Sequence, residues 1–150
     1  KSGKILDLGP ANPMSSLLKE KGFEVTNTTI ENDLDLDYDI VKQNFDVVTA
    51  FEILEHLVSP FPLLKSITAP KLIISIPMPL WFAKTYWNED DPYDRHYHEF
   101  EPKQLEMVLN KAGWKIVKSK KWKAYDSKIG IRPILRRFTY KYFIVYCERI

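Results

Sequence analysis

Residues 45–60 constrain the fold more than any other stretch, because an apolar run there passes directly into a cluster of ionisable side chains. The apolar residues, typical of a central strand covered on both faces, are Phe45, Val47, Val48, Ala50 and Phe51. Glu52, Glu55 and His56 follow at i, i+3 and i+4, so a helix would place all three on one face. These groups would then stand at the carboxyl end of a central strand, where open α/β sheets bind their ligands.

The rest of the chain alternates apolar strands with amphipathic helices, which predicts an α/β fold with a doubly wound sheet. A first strand containing Asp7 leads into a helix that Asn12 would cap and that would end before Gly22. Further helices are predicted from the proline-led segments that start at residues 60 and 102. The predicted strands are residues 4–9, 23–29, 45–51, 71–77, 114–118 and 140–147.

Composition narrows the class of protein. A chain of 150 residues with 45% hydrophobic content predicts one domain, spanning residues 1–150. The 22 basic and 20 acidic residues nearly balance, so net charge neither demands nor excludes a nucleic-acid partner. Cys147 is the single cysteine, which excludes an internal disulfide framework. No apolar run approaches the ~20 residues of a membrane span and no signal segment opens the chain, so we expect a soluble cytoplasmic protein without a membrane partner.

Three segments outside these elements each leave two interpretations open. Residues 30–44 carry four aspartates that alternate with apolar residues, which predicts a short edge strand whose acids form a solvated face or contact a ligand. Residues 78–100 lack periodicity and are rich in aromatic residues, which is typical of a substrate lid or of packing over the sheet edge. Residues 129–137 are apolar and basic, and would cover a substrate or pack against an edge strand.

A family resemblance is carried by residues 5–9 (ILDLG), residues 45–48 (FDVV) with 51–57 (FEILEHL), and residues 96–100 leading to 112–114. In this order the chain resembles the class I S-adenosylmethionine-dependent methyltransferases over nearly its whole length. The resemblance implies S-adenosylmethionine as cofactor and a Rossmann-like sheet, mostly parallel, with the last strand inserted antiparallel beside the strand at 114–118. The helix that often precedes the first strand in such proteins is absent from these 150 residues.

The same resemblance assigns cofactor contacts by position. The backbone near Gly9 would approach the amino-acid part of the cofactor, while Asp7 would hold this loop through hydrogen bonds. The acid that usually binds the ribose is replaced by Thr29, with Glu31 as the nearby substitute. Prolines stand where family members usually have further glycines, and they remove backbone donors from the loop. The implied cofactor-binding positions are Asp7, Gly9, Pro10, Ala11, Thr29, Glu31, Ala50, Phe51 and Glu52.

Glu52, Glu55 and His56 resemble the E-x-x-E-H pattern of two methyltransferase groups, the ubiquinone-pathway O-methyltransferases and the enzymes that methylate the 2′-hydroxyl at the 3′ end of small RNAs. In the second group a further histidine completes a divalent-metal site, and His96 is the best positional match. We therefore interpret Glu52, Glu55, His56 and His96 as candidate catalytic residues. Many methyltransferases without a metal carry the same pattern, so no metal ligand is assigned and a Mg²⁺ or Mn²⁺ ion stays an alternative.

The sequence thus predicts an S-adenosylmethionine-dependent enzyme that methylates an oxygen or nitrogen of a small-molecule acceptor. One alternative is an enzyme similar to the RNA 2′-O-methyltransferases, with a Glu/Glu/His/His metal site and a basic cluster of Arg132, Arg136 and Arg137 to hold nucleic acid. The other alternative is a methyltransferase-like binding domain with weak catalysis, which the proline-containing loop favours.

Overall fold

The computed structural model describes residues 3–91, 94–123 and 131–150, and of Arg132 and Pro133 only the backbone. Four helices lie in these ranges: α1 (Pro13–Glu20), α2 (Pro60–Ser66), α3 (Pro102–Ala112) and α4 (Ile131–Phe138). Single turns of 3-10 helix occur at Ile40–Lys42 and Leu54–His56. The strands are β1 (Lys4–Asp7), β2 (Glu24–Asn27), β3 (Val47–Phe51), β4 (Lys71–Pro77), β5 (Trp114–Trp122) and β6 (Tyr142–Arg149).

The strands form one mixed sheet in the order β2-β1-β3-β4-β6-β5. Strands β2, β1, β3 and β4 are parallel, and β3 pairs with β4 so that Val48 lies opposite Leu72. Strand β6 is antiparallel to both of its neighbours, β4 and β5. This arrangement confirms the predicted mostly parallel sheet with an inserted antiparallel last strand. It also brings the carboxyl ends of β1, β3 and β4 to one edge, which positions the candidate site.

Helix α1 confirms its predicted boundaries because both of its ends are specified by local chemistry. The Asn12 side chain accepts hydrogen bonds from the N–H groups of Met14 (2.9 Å) and Ser15 (3.0 Å), and Pro13 occupies the first turn. At the other end Gly22 has φ of +89°, the left-handed conformation that ends a helix without strain only at glycine. The loop between β1 and α1 is therefore fixed at its far end by the Asn12 cap.

The core lies between the sheet and the helices that cover it. Leu6, Val48 and Leu72, on three adjacent parallel strands, are fully buried. Trp114 is fully buried as well, and its indole N–H donates to the carbonyl of Leu64 at 2.9 Å, which ties the start of β5 to α2. Aromatic burial of this kind, with the single polar atom satisfied, stabilises the side of the sheet remote from the site.

The predicted edge strand in residues 30–44 is wrong, since turns and a 3-10 turn occupy this stretch. The side chains of Asp33 and Asp37 accept hydrogen bonds from the N–H groups of Asp35 and Asp39, and such local bonds compete with a strand ladder. Asp35 instead accepts from the N–H groups of Val58 (3.0 Å) and Ser59 (2.8 Å). Asp33, Asp37 and Asp39 are exposed, in agreement with a solvated face.

Several other boundaries differ from the prediction: β1 ends at Asp7 rather than Gly9, and β3 starts at Val47 rather than Phe45. Strand β2 ends at Asn27, two residues before Thr29, and β5 continues to Trp122 rather than ending at Lys118. Strand β6 starts at Tyr142 and runs to Arg149. The segment predicted at 129–137 contains helix α4, while its residues 129–130 lie outside the described ranges. Strand ends are set by ladder partners, which local sequence does not specify.

Candidate active site

The loop after β1 is built around Asp7, which is fully buried. Its Oδ1 accepts a 2.6 Å hydrogen bond from the Thr49 hydroxyl on β3, and its Oδ2 accepts from the Ser15 hydroxyl at 2.9 Å. The side-chain amides of Asn12 and Asn27 also donate to Oδ2, each at 3.1 Å. Because one carboxyl group joins β1, α1, β2 and β3, Asp7 holds the loop and the strand ends together.

Gly9 turns the chain away from β1 with φ of +102°, a backbone conformation that residues with a side chain rarely adopt. An added Cβ would lie 3.0 Å from Ile53 Cδ1, so the two loops pack closely at this point. The Gly9 N–H donates to the Thr28 hydroxyl at 2.6 Å, and the Asn12 N–H donates to the Ser15 hydroxyl at 3.1 Å. The loop is thus preformed by internal hydrogen bonds, and Pro10, which is exposed, has no N–H to offer.

The other positions predicted to contact a cofactor surround this loop at different depths. Thr29 is exposed, and both its N–H (2.8 Å) and its hydroxyl (3.3 Å) donate to the Asn32 side-chain oxygen. Ala11 and Glu31 are exposed, whereas Ala50 is buried in β3. A hydroxyl and an amide therefore stand beside the end of β2, where the resemblance implies an acid.

The helix predicted after Phe51 is wrong, because a single 3-10 turn at Leu54–His56 takes its place. Glu52 has φ of 55° in the left-handed region, which is uncommon for a residue with a side chain. The Glu55 carbonyl, which a helix would direct at the N–H of Ser59, accepts instead from Tyr97 N–H (2.7 Å) and His98 N–H (3.2 Å). The Asp35 carboxyl holds the N–H of Ser59, so propagation of a helix is blocked.

These backbone hydrogen bonds bring the aromatic-rich segment of residues 78–100 against the 3-10 turn that carries Glu55. The His56 Nδ1 lies 3.1 Å from the carbonyl oxygen of Arg95. The rings of His56 and His96 meet edge to face with centroids 4.8 Å apart, and the Tyr86 ring lies 5.0 Å from that of His96. Ligand atoms of Glu55, His56 and His96 all lie within 4.8 Å of one another. Residues 41 positions apart in sequence therefore form one cluster, which we call the acid-histidine cluster: Glu55, His56 and His96.

Burial dominates the electrostatics of this cluster. Glu55 is 1% exposed, and neither carboxyl oxygen has a hydrogen-bond partner among the described residues. Burial raises the pKa of Glu55 to about 8 and lowers the pKa of His96, with the nearby His56 adding to the latter shift. Burial also raises the pKa of Glu52, although the Ser75 hydroxyl donates to its Oε1 at 2.7 Å. At neutral pH a protonated carboxyl group thus faces a neutral imidazole.

The acid-histidine cluster lines a cavity of about 670 Å³. The cavity lies at the carboxyl ends of β3 and β4, between Glu52 on one side and the start of β6 on the other. Its apolar wall includes Met78, Leu80 and Trp87, and its cationic groups include Lys84, Arg136 and Lys141. Apolar walls with a few convergent polar groups are typical of a small-molecule site.

All four predicted catalytic residues line the cavity, but only Glu55, His56 and His96 form the acid-histidine cluster, while the Glu52 carboxyl group accepts a hydrogen bond from Ser75. Sequence reasoning missed the partners of Asp7 on other strands, Asn27 and Thr49, because no local pattern marks them. Ser15 could have been found, since it stands three residues after the Asn12 cap, where a capping-box partner belongs.

A mostly parallel sheet with one reversed strand next to its end strand, and a cavity at the carboxyl ends of its strands, is the architecture of the class I methyltransferases. The sequence profile of a methyltransferase-domain family matches residues 1–119, and the chain belongs to this family. The cofactor of the class is S-adenosylmethionine. No curated protein matches the sequence significantly.

Solved structures agree on the fold. The 1,6-didemethyltoxoflavin-N1-methyltransferase of Burkholderia thailandensis superposes with a TM-score of 0.69 at 17% identity, over 99% of this chain and 72% of that one. An S-adenosylmethionine-dependent methyltransferase from Mesorhizobium loti gives 0.69 at 16% identity, over 99% and 92% of the two chains. The magnesium protoporphyrin IX methyltransferase of Synechocystis, with bound S-adenosylhomocysteine, gives 0.65 at 15% identity, over 99% and 74%. At these identities the similarity shows a shared fold and nothing about substrates.

Proposed function

We propose that residues 1–150 form one methyltransferase domain, which transfers a methyl group from S-adenosylmethionine to an oxygen or nitrogen of a small-molecule acceptor. The observation that carries this proposal is the cavity of about 670 Å³, with the acid-histidine cluster in its wall and the ends of β3 and β4 beside it. A cavity of this size suits a compact organic molecule. One structural relative is a 1,6-didemethyltoxoflavin-N1-methyltransferase, whose structure holds 1,6-didemethyltoxoflavin and S-adenosylhomocysteine.

The residues at the edge of β1, β2 and β3 fit the cofactor in most respects. The Gly9 turn is preformed at the carboxyl end of β1, with the Ile53 side chain packed against one side of it. Thr29 and Asn32 offer a hydroxyl and an amide that can bond to ribose hydroxyl groups. These neutral groups would bind ribose less strongly than the acid usual in the family, since charged partners make the stronger hydrogen bonds.

The proposed chemistry needs a general base beside the oxygen or nitrogen atom that receives the methyl group. When bound, S-adenosylmethionine would supply an electrophilic methyl group. His96 would receive the acceptor's proton at a ring nitrogen, since its lowered pKa keeps the imidazole neutral at pH 7. The rings of His56 and Tyr86 contact the His96 ring, and a carboxyl oxygen of Glu55 lies within 4.8 Å of a His96 ring nitrogen.

Calorimetric titration with S-adenosylmethionine tests the cofactor site. Thr29→Val removes the hydroxyl but keeps the shape and the N–H, and we expect it to weaken binding about 5- to 10-fold. Glu31→Gln keeps the size of the side chain and removes only its charge, so it should leave affinity unchanged if Thr29 and Asn32 are the ribose contacts. The opposite pattern would identify Glu31 as the ribose contact. If the wild-type chain takes up no cofactor at millimolar concentration, the binding-domain alternative replaces the enzyme proposal.

A second candidate function, a metal-assisted methyltransferase similar to the RNA 2′-O-methyltransferases, is favoured by one observation. The Glu55 carboxyl group is buried without a hydrogen-bond partner in the described part of the chain and lies against two imidazoles. One carboxylate and two histidine nitrogens fit a divalent ion such as Mn²⁺ or Zn²⁺, and Glu55, His56 and His96 would hold it. Such an ion would lower the pKa of a bound hydroxyl group. Glu52 would take no part, because its carboxyl group lies outside the three-residue cluster.

Thermal denaturation with Mn²⁺ or Zn²⁺ tests the metal site. If the cluster binds an ion, saturating metal should raise the wild-type Tm by about 5 °C or more, since a ligand that binds only the folded state stabilises it. His96→Ala should abolish this shift. His98→Ala is the control, because its Nε2 lies 3.1 Å from the Val58 carbonyl, outside the cluster. A shift that survives in His96→Ala would exclude the cluster as the metal site.

A further inference from the structure

Helix α4 is amphipathic, but its apolar side faces solvent. Ile131, Ile134 and Phe138 are 80%, 53% and 77% exposed, and their spacing places them on one face of the helix. Arg136, on the opposite side, lines the cavity, and its Nε is buried. A helix packed on a protein core normally shows the reverse arrangement. The apolar face of α4 therefore needs a cover that the described residues do not provide.

Aromatic and cationic side chains continue this surface beyond the helix. Tyr140, two residues after Phe138, is 48% exposed, and the Lys123 ammonium group lies 5.6 Å from its ring. Trp122 stacks on Tyr142 with centroids 5.3 Å apart, and Lys141 lies 4.8 Å from the Tyr142 ring. Aromatic rings beside lysines on an exposed surface are typical of the interface between a membrane and water.

Charge is distributed very unevenly along the chain. Residues 114–147 contain ten of the 22 basic residues but only one of the 20 acids, Asp126. The basic residues are Lys115, Lys118, Lys120, Lys121, Lys123, Lys128, Arg132, Arg136, Arg137 and Lys141. The remainder of the molecule carries a net negative charge as a consequence, although the whole chain is nearly neutral. An anionic partner would therefore approach this end of the sheet.

We propose that the apolar face of α4 docks on the surface of an anionic phospholipid bilayer. Ile131, Ile134 and Phe138 would enter the boundary between head groups and acyl chains, while Arg137 and Lys123 would reach the lipid phosphates. Single-stranded nucleic acid would suit the cations and aromatic rings but not the exposed isoleucines. The contact is peripheral, since no described helix is long and apolar enough to cross a membrane.

Flotation of the whole chain with lipid vesicles tests this proposal. We expect binding to vesicles of phosphatidylcholine with about 30% phosphatidylserine to exceed binding to pure phosphatidylcholine vesicles at least tenfold, and to weaken as salt is added. The double variant I134S/F138S should lose most of this binding. Leu36→Ser is the matched control, because Leu36 is 80% exposed in the acidic part of the chain, and it should bind as the wild type does.

Several results would overturn the proposal. Absence of vesicle binding by the wild-type chain would do so, as would equal binding by I134S/F138S with an unchanged melting temperature. A dimer that I134S/F138S converts to a monomer would assign the face to a second copy of the chain. Displacement from vesicles by single-stranded RNA, with equal affinity of the double variant for that RNA, would assign the basic surface to nucleic acid. None of these measurements depends on cofactor binding, so they are independent of the proposed methyl transfer.

Discussion

Asp7→Asn is expected to lower the free energy of unfolding by about 3 kcal/mol or more. Four side chains donate hydrogen bonds to the Asp7 carboxyl group, from Asn12, Ser15, Asn27 and Thr49. Asparagine has an NH₂ group in place of one carboxyl oxygen. The buried groups that donate to that oxygen in the wild type would then face a donor and lose their hydrogen bonds. Urea denaturation followed by tryptophan fluorescence measures the loss.

Asp37→Asn is the control for this substitution. Asp37 is exposed and its Oδ1 accepts from the N–H of Asp39, a bond that an asparagine oxygen can also accept. We expect its stability to stay within about 0.5 kcal/mol of the wild type. Equal effects of the two variants would mean that Asp7 does not hold the strand ends together.

The second large effect is a dependence of stability on pH that Glu55→Gln should remove. With a chelator present, the wild-type free energy of unfolding is expected to fall by about 2 kcal/mol between about pH 6.5 and pH 8.5. The sign follows from the raised pKa of Glu55, about 8 in the folded chain against 4.5 as the ordinary value. The unfolded chain has already lost this proton in that range, whereas the folded chain still holds it, so rising pH favours unfolding.

His96 acts in the opposite direction at lower pH. Its pKa is lowered by burial, so the unfolded chain binds the extra proton and stability rises with pH until the ordinary value near 6.5 is passed. Above about pH 6.5 the contribution of His96 is complete, and Glu55→Gln separates the effect of Glu55 from that of Glu52, whose pKa burial also raises. Glu55→Gln should be more stable than the wild type at about pH 8.5. A pH profile parallel to the wild type would contradict the burial of an uncompensated carboxyl group at this position.

The sequence by itself determined the elements whose residues interact locally. Continuous apolar runs predicted β3 and β4, and the Asn12 cap with Gly22 predicted both ends of α1. The motif of residues 51–57 predicted the family and the edge of the sheet at which Glu55 lies. Such signals are readable because propensity, capping and alternation depend on neighbours only a few residues apart.

Contacts between distant segments were decided only by the tertiary structure. The 3-10 turn at Leu54–His56 exists because Tyr97 and His98 take the Glu55 carbonyl, and Asp35 takes the N–H of Ser59. The same bonds set His96 beside His56 and leave Glu52 to Ser75. The sequence also did not predict that the apolar side of α4 faces solvent, since an amphipathic pattern does not specify which face of a helix packs on the protein. Each of these outcomes depends on packing between residues far apart in the chain, which no local pattern encodes.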